Sequence, residues 1–275
     1  MKSDLAALGA VLLWASLATL GSGLTHIPPL LLTGIGLLIG SLLALPLSGF
    51  KLQKLKVSPK LLGIGVFGLF GFHLALFAAL QNAPAVQANL VNYLWPLLIV
   101  LFAPAFLGSK LKLKHALAAL VGFIGAALAI LSGSALTGGL EIGYLYALIA
   151  AIIWASYSLL TKRFGSFPTA AIGTFALVSG LLAIAAHFVF EPAAVIQPAD
   201  WLMLVVMGLG PLGGAFYLWD YALKNGKAQR VGLISFATPL LSTLFLLLST
   251  GQTPTPLLLV SAALIVGAAY AGRGE

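Results

Sequence analysis

One apolar segment carries a cluster of side chains that could bind a polar ligand. Asn89, Asn92, Tyr93 and Pro96 fall on one side of a helix, within about 100° of one another at 3.6 residues per turn. A polar group left unpaired in hydrocarbon costs several kcal/mol, so this side must point at other helices or at water. The spacing therefore indicates either hydrogen bonds between helices or one wall of a polar cavity.

Aromatic and hydroxyl side chains share a helical face in another apolar segment. Trp154, Tyr157 and Ser158 lie on this face, and Trp14 occupies the corresponding place in the first segment. Tryptophan often marks membrane interfaces, but Trp14 and Trp154 lie near the middle of their segments. A buried indole N–H needs a partner or water, so we expect both tryptophans to face the same cavity.

A later segment is expected to add to this site. Ser235 and Phe236 match Asn92 and Tyr93 in a weak internal repeat of the sequence, so they are predicted to form another wall of the same cavity. The predicted ligand-binding residues are Trp154, Tyr93, Asn92, Asn89, His73, Tyr157, Ser158, Trp14, Phe236, Ser235 and Trp219.

Ionisable residues are rare inside the apolar segments, where a charge at the helix centre costs about 2.5–3.5 kcal/mol. His73 and Asp220 are the two candidates for moving protons. Asp220 has an alternative role, because Lys224 lies one helical turn further on and could form an ion pair with it. His73 could equally be a neutral hydrogen-bonding group.

Catalytic and metal-binding patterns do not occur in the sequence. It contains no Gly-x-Ser-x-Gly, no His-Glu-x-x-His and no cysteine. Two isolated ionisable groups do not make an acid–base catalytic pair. The sequence also has no cluster of His and carboxylate residues of the kind that binds a metal. We therefore predict no enzyme activity, no metal and no cofactor.

The composition identifies the solvent around these segments. Of 275 residues, 61% are hydrophobic and 7% are charged, whereas soluble domains carry about 25% charged residues. The net charge of +8 lies in short basic runs between long apolar stretches, so we expect the lipid bilayer, not nucleic acid, as partner. The chain is predicted to be an all-α integral membrane protein.

Ten apolar segments are long enough to be membrane helices, which need about 20 residues. They are separated by turn signals such as Ser58-Pro59, Asn225-Gly226 and Thr255-Pro256. Dense glycine around Gly208 and Gly214 also predicts a kink in the eighth segment. The ten predicted spans are residues 4–24, 28–49, 60–81, 84–107, 113–132, 139–163, 168–190, 199–224, 228–249 and 255–272.

The basic residues predict the orientation of these spans. With the N-terminus on one side, all 14 Lys and Arg residues fall on that side, while Glu141, Glu191 and Asp200 fall on the other. Cytoplasmic loops are enriched in Lys and Arg, so both termini are predicted to be cytoplasmic. One missed or extra span would destroy this division.

An internal repeat divides the spans into two sets of five. Leu13-Trp14-Ala15-Ser16 resembles Ile153-Trp154-Ala155-Ser156, and Pro96-Leu97-Leu98 recurs as Pro239-Leu240-Leu241 at a nearly equal offset and in the same order. We predict a first half over residues 1–135 and a second over 136–275. Because five is odd, the halves enter the membrane from opposite faces, as in many secondary transporters.

These residues also resemble a known family. The run Val91-Asn92-Tyr93-Leu94-Trp95-Pro96, the segment from Trp154 to Lys162, and the segment from Trp219 to Gly226 followed by Thr238-Pro239 are similar to the drug/metabolite transporter superfamily. The resemblance is to its EamA-type members, and among them to the YddG-type exporters of aromatic amino acids. It implies ten spans in two inverted halves, and transport driven by a gradient.

The resemblance and the residues together predict a secondary transporter of the inner (plasma) membrane. It would export aromatic amino acids and related small amphipathic metabolites by alternating access around a midplane cavity. A multidrug exporter of aromatic cations such as paraquat is the alternative, and a membrane-embedded enzyme is a third interpretation. A monomer is compatible with the sequence, which leaves the oligomeric state open.

Overall fold

The computed structural model describes residues 1–131, 139–251 and 253–272. Within these ranges all regular structure is helical and no strand forms, as the apolar segments predict. The ten long helices are α1 Lys2–Leu24, α2 Pro29–Ser48, α3 Pro59–Gln81, α4 Ala85–Leu107, α5 Leu113–Leu131, α6 Ile142–Arg163, α7 Thr169–Phe190, α8 Asp200–Asn225, α9 Ala228–Thr250 and α10 Pro256–Ala271.

Nine helices in the described part of the chain, α1 to α9, are long and apolar enough to cross a membrane. The chain is therefore a multi-pass membrane protein. Helix α10 is apolar but has 16 residues, about 24 Å against a hydrocarbon core of about 30 Å. The count of ten spans and the cytoplasmic termini stay predictions. The predicted end of the fifth span at 132 and the boundary between halves at 135/136 lie outside the described residues.

Proline and hydroxyl side chains fix where two of the helices begin. Pro59 and Pro256 are the first residues of α3 and α10, where the missing proline N–H has no helical partner to lose. The hydroxyl oxygens of Ser58 and Thr255 each accept a backbone N–H from the first turn of the helix, at 3.3 Å. The turn signals read from the sequence thus correspond to helix caps.

Backbone irregularities recur at the spacing of the sequence repeat. A π-helical turn interrupts α3 at Phe67–Gly71 and α8 at Gly210–Gly214, and the two turns are offset by the same distance along the chain as Pro96 and Pro239. Helices α4 and α9 both end at a glycine in the left-handed region, Gly108 (φ 65°) and Gly251 (φ 69°), again at that offset. The glycine-rich stretch for which a kink is predicted thus carries a π turn, and the matched positions follow the spacing of the sequence repeat.

Six helices surround the centre of the molecule. Helix α1 contacts α8 and α9, α8 contacts α2, α2 contacts α3, α3 contacts α4, and α4 contacts α9. Helix α6 packs against α3, α4 and α8, while α7 pairs with α2 and α5 pairs with α10. The order around the centre is therefore α1, α8, α2, α3, α4 and α9, so that α2 and α8 lie across from α4 and α9.

Helices α2 and α8 touch through their backbones. A Cβ atom added to Gly40 would lie 2.6 Å from the Cα of Gly213 and 2.8 Å from the carbonyl oxygen of Gly208. Small residues allow membrane helices to approach this closely. The contact fixes the π turn of α8 against α2.

A buried carboxylate joins the beginning of α2 to the end of α7. The backbone N–H of Leu30 donates to Glu191 at 2.8 Å, and the Glu191 side chain bonds to His187 at 2.9 Å. An acidic group is favoured at a helix N-terminus, where N–H groups lack partners. The pairing of α2 with α7 is thus reinforced at the predicted non-cytoplasmic end.

Candidate functional site

A cavity of about 390 Å³ lies inside the ring of six helices, within the range of small-molecule sites. It draws its lining from α1, α2, α3, α4, α8 and α9, and from one residue of α6. The lining residues are Trp14, Leu17, Ala18, Gly21, Leu32, Thr33, Phe72, His73, Leu76, Phe77, Asn89, Asn92, Tyr93, Trp95, Trp154, Met207, Pro211, Leu212, Phe216, Thr238 and Ser242.

Aromatic rings form a continuous cluster at one end of the cavity. The Trp14 ring lies at the centre, with centroids 5.2 Å from Trp219, 5.5 Å from Trp154, 6.0 Å from Phe216 and 6.3 Å from Trp95. Trp14, Trp154 and Phe216 also line the cavity, so they present ring faces and edges to its contents. This surface suits the stacking of another aromatic ring.

The wall formed by α4 and α9 is polar, and both helices are broken there. Helix α4 stops after Asn92 and resumes at Trp95, and α9 stops after Ser235 and resumes at Ala237. Because Pro239 has no N–H, the Ser235 carbonyl lacks its usual helical donor, and the Thr238 hydroxyl donates to it at 2.8 Å. The lining residues of this wall are Asn89, Asn92, Tyr93, Thr238 and Ser242.

Asn92 and the residue that matches it in the repeat, Ser235, differ in how their hydrogen-bond acceptors are satisfied. Pro96 removes the N–H that would bond the Asn92 carbonyl, and the hydroxyl of Thr238 is replaced at the matching position by the Trp95 indole. The side-chain Oδ1 of Asn92 is buried and has no hydrogen-bond partner in the described structure. Such a group is costly unless something bonds it, so Asn92 is poised to accept a donor.

The opposite wall, formed by α2 and α8, is apolar. Leu32 comes from α2, and Met207, Pro211 and Leu212 come from α8. Thr33, on α2, is the one lining residue from these two helices with a polar side chain. The cavity is therefore amphipathic, with a polar wall facing an apolar one.

His73 joins the two walls from α3. Its Nδ1 lies 2.6 Å from the carbonyl oxygen of Leu69, and because a carbonyl can only accept, Nδ1 carries the hydrogen. In the neutral ring Nε2 is then an acceptor. Phe72, Phe77 and Phe216 surround the imidazole at centroid distances of 5.2, 6.0 and 6.3 Å. The π turn just before Phe72 adds a residue to the helix and so sets which side chains face the cavity.

The structure brings six of the predicted ligand-binding residues to the cavity: Trp154, Tyr93, Asn92, Asn89, His73 and Trp14. The other five lie outside its lining. Tyr157 packs against Gly68 of α3, and the Trp219 indole N–H donates to the Ser158 hydroxyl at 3.0 Å, between α6 and α8. These contacts hold helices together, and a ligand-binding role for these residues stays a prediction.

Ser235 and Phe236 also lie away from the cavity. The Ser235 hydroxyl donates to the Gly232 carbonyl at 2.6 Å, and Phe236 packs against Gly122 of α5. The repeat match to Asn92 and Tyr93 placed them on the wall, but the two halves are not equivalent here. The lining residues that α9 supplies, Thr238 and Ser242, come after its break.

Asp220 forms the alternative interaction considered for it. Its Oδ2 lies 2.7 Å from Lys224 Nζ and accepts a bond from the Thr169 hydroxyl at 2.7 Å. The carboxylate is buried and outside the cavity lining. The ion pair lies within α8, the bond from Thr169 links Asp220 to the start of α7, and a role of Asp220 in proton coupling stays a prediction.

Sequence reasoning missed several lining residues. Trp95 lies in the same run as Asn92 and Tyr93, and Phe216 matches His73 in the repeat, so both could have been found from signals already in use. Phe77 lies one helical turn after His73, on the same face. Thr33 had no signal, because a threonine among leucines in a membrane helix is ordinary.

Polar contacts join the helix ends that bear Asp4, Lys162 and Arg230. Arg230 at the start of α9 pairs with Asp4 at the start of α1 at 2.6 Å. The Nζ of Lys162 donates to the carbonyls of Leu223 and Gly226 at 2.6 and 2.8 Å, joining α6 to the end of α8. Ala7, one turn of α1 beyond Asp4, is fully buried. None of these residues lines the cavity.

The described residues, 1–131, 139–251 and 253–272, contain no group of three His or carboxylate side chains that could hold a metal ion. None of the lining residues is Asp, Glu, Lys or Arg. What the site offers is aromatic surface, neutral hydrogen-bonding groups and apolar surface. This chemistry binds and orients a small molecule.

Comparison with known proteins identifies similar chains. The chain matches the EamA-like transporter family twice, over residues 1–131 and 141–271. It is 38% identical over 269 residues to the aromatic amino acid exporter YddG of Ancylobacter novellus, covering 94% of this chain and 93% of that one. It is 28% identical to the exporter of the same name from Escherichia coli K12, with 88% and 86% covered. A protein of known crystal structure, 36% identical, superposes with a TM-score of 0.92 over 99% of this chain and 98% of that one.

Proposed function

The chain belongs to the EamA-like transporter family, and on that premise we propose that it exports aromatic amino acids by alternating access around the central cavity. That it is a membrane transporter follows from the family, its relatives and its membrane helices. The substrate and the mechanism are inferred from the cavity.

The substrate assignment rests on the lining of the cavity, which is amphipathic and uncharged. An aromatic amino acid has a flat apolar ring at one end and a zwitterion of zero net charge at the other. The polar wall of α4 and α9 can bond the ammonium and carboxylate groups, with Asn92 as an acceptor and Asn89 nearby. The rings of Trp14, Trp154 and Phe216 can pack on the substrate ring.

The direction of opening follows from combining the cavity with the predicted orientation. The lining residues lie in the second halves of α1 and α3 and the first halves of α2 and α4, which the basic residues assign to the non-cytoplasmic half. The ends bearing Asp4, Lys162 and Arg230 are closed. The conformation therefore corresponds to an outward-facing state, and export requires the Asp4–Arg230 contact to open so that substrate can enter from the cytoplasm.

The halves supply the symmetry that such a cycle needs. Two matches to one family, the sequence repeat and the paired π turns all support two five-helix units, residues 1–135 and 136–275, of inverted topology. Each unit contributes a broken helix, α4 or α9, to the polar wall. We place the protein in the inner (plasma) membrane and expect it to need no cofactor, and His73 is the imidazole in contact with the cavity.

Export of aromatic cations such as paraquat is the second candidate. Aromatic faces attract cations, and the cavity has several. Its lining has no carboxylate, however, and Asp220 is already paired with Lys224. A dication would therefore lose hydration without gaining an anionic partner, which ranks this substrate class below the zwitterions.

Flux through the reconstituted protein tests the proposal. The purified chain is placed in liposomes, and the movement of radiolabelled Trp, Tyr and Phe is compared with that of Thr and of paraquat. We expect protein-dependent flux of the three aromatic amino acids and much less of Thr. Flux of paraquat alone would favour the second candidate, and absence of aromatic flux would refute the first.

A further inference from the structure

The apolar wall of the cavity contains a single hydroxyl. Thr33 is 1% exposed, and its neighbours in the lining from α2 and α8 include Leu32, Met207, Pro211 and Leu212. A hydroxyl in such surroundings is unfavourable unless it is bonded. Valine has the same shape without this cost, so packing alone gives no reason for threonine here.

The Thr33 hydroxyl is available to a ligand. Ser and Thr side chains in helices commonly bond a backbone carbonyl of the preceding turn, as the Thr238 hydroxyl does with the Ser235 carbonyl at 2.8 Å. Within the part of the chain that the structure describes, Thr33 forms no side-chain hydrogen bond. Its oxygen can therefore accept a donor from a molecule in the cavity.

The position of Thr33 indicates which part of a substrate would reach it. Helices α2 and α8 face α4 and α9 across the ring. A zwitterion bonded to Asn89 and Asn92 on the polar wall has its side chain directed at the apolar wall. The far edge of the ring, where Trp carries its indole N–H and Tyr its phenol O–H, then approaches α2.

We propose that Thr33 is a specificity residue, whose hydroxyl accepts a hydrogen bond from the ring donor of Trp or Tyr. The inference rests on the proposed export of aromatic amino acids and deepens it. Substrates with a donor on the ring gain a bond that Phe cannot form. The rest of the lining binds all three rings alike, through stacking and apolar contact.

Thr33→Val tests this assignment, with Thr33→Ser as the matched control. Valine keeps the shape and removes the acceptor, whereas serine keeps the hydroxyl. The fluxes of Trp, Tyr and Phe are measured in proteoliposomes at limiting substrate, each normalised to reconstituted protein. A neutral hydrogen bond corresponds to a change of about two- to tenfold. We expect Thr33→Val to lower the Trp/Phe and Tyr/Phe flux ratios by that factor, and Thr33→Ser to leave them near the wild-type values.

A substrate analogue provides the second measurement. In 3-benzothienylalanine a sulfur atom replaces the indole N–H of Trp at nearly the same shape. The wild-type protein should prefer Trp over this analogue, and Thr33→Val should remove the preference. If Thr33→Val lowers Phe flux as much as Trp flux, or changes no ratio, the assignment is wrong. A wild-type protein that moves none of the three amino acids would instead refute the proposed function.

Discussion

Replacing Gly40 by alanine would test how closely α2 and α8 must approach. The new Cβ would lie 2.6 Å from the Cα of Gly213, 2.8 Å from the carbonyl oxygen of Gly208 and 3.0 Å from that of Leu212. All three are backbone atoms, so no side chain can rotate away. Raising 2.6 Å to an ordinary contact of 3.4 Å requires the helices to separate by about 0.8 Å.

The separation should affect both stability and transport. Overpacking a close-packed interior typically costs about 1–3 kcal/mol. The π turn that would be displaced carries Pro211 and Leu212, which line the apolar wall of the cavity. We therefore expect Gly40→Ala to unfold at a lower temperature than the wild type and to transport more slowly per molecule inserted.

Gly63→Ala is the matched control for this substitution. Gly63 is also a helical glycine, in α3, but a Cβ there would meet nothing within 4 Å. Alanine is favoured over glycine in helices by about 0.5–1 kcal/mol, so this variant should be at least as stable as the wild type. Thermal unfolding in detergent and Trp flux in liposomes are measured for both variants. A Gly40→Ala protein as stable and active as Gly63→Ala would show that the two backbones are not in contact.

Three further predictions concern the cavity and its two ends. Trp154→Ala should lower aromatic flux about two- to tenfold through the loss of one aromatic partner, Trp154→Phe should lower it less, and Trp201→Ala, on an exposed surface, should leave it unchanged in the same liposome assay. Because the chain has no cysteine, a single introduced cysteine can report access to the cavity. Ala18 is exposed and lines the cavity, so Ala18→Cys should react with an impermeant maleimide added outside intact cells, and Trp should protect it. Ala7 is fully buried, so Ala7→Cys should not react. Asp220→Asn should destabilise the protein by about 1–3 kcal/mol, because it removes the carboxylate from Lys224, which keeps its bond to the Phe167 carbonyl, while the flux of folded protein in a pH series keeps its wild-type profile.

The fold could be predicted from the sequence because the bilayer imposes one simple rule. Residues that span hydrocarbon must be apolar and helical, so hydropathy located α1 to α9 within a few residues. The repeat could be found because key positions such as Trp14 and Trp154 keep their identity in both halves. Helix α10 is short for a span, since Pro256 delays its start and it ends at Ala271.

The cavity was predicted less completely because the two halves do not present matching positions to it. In α4, Asn89 and Asn92 fall where the spacing puts them. In α9 the positions that match Asn92 and Tyr93 pack against other helices, and Thr238 and Ser242 line the cavity instead. Spacing also cannot tell whether a buried polar face meets a cavity or another helix. Ser158, for example, lies on a face that meets α8.

The neutral lining of the cavity has an electrical consequence. One elementary charge moved across 100 mV exchanges about 2.3 kcal/mol with the membrane potential. A carrier whose binding residues are uncharged, holding a zwitterion, moves no net charge in either half of its cycle while His73 stays neutral. We expect such a carrier to pass no current and to ignore voltage, so that the concentrations of amino acid on the two sides alone set the direction of net flow.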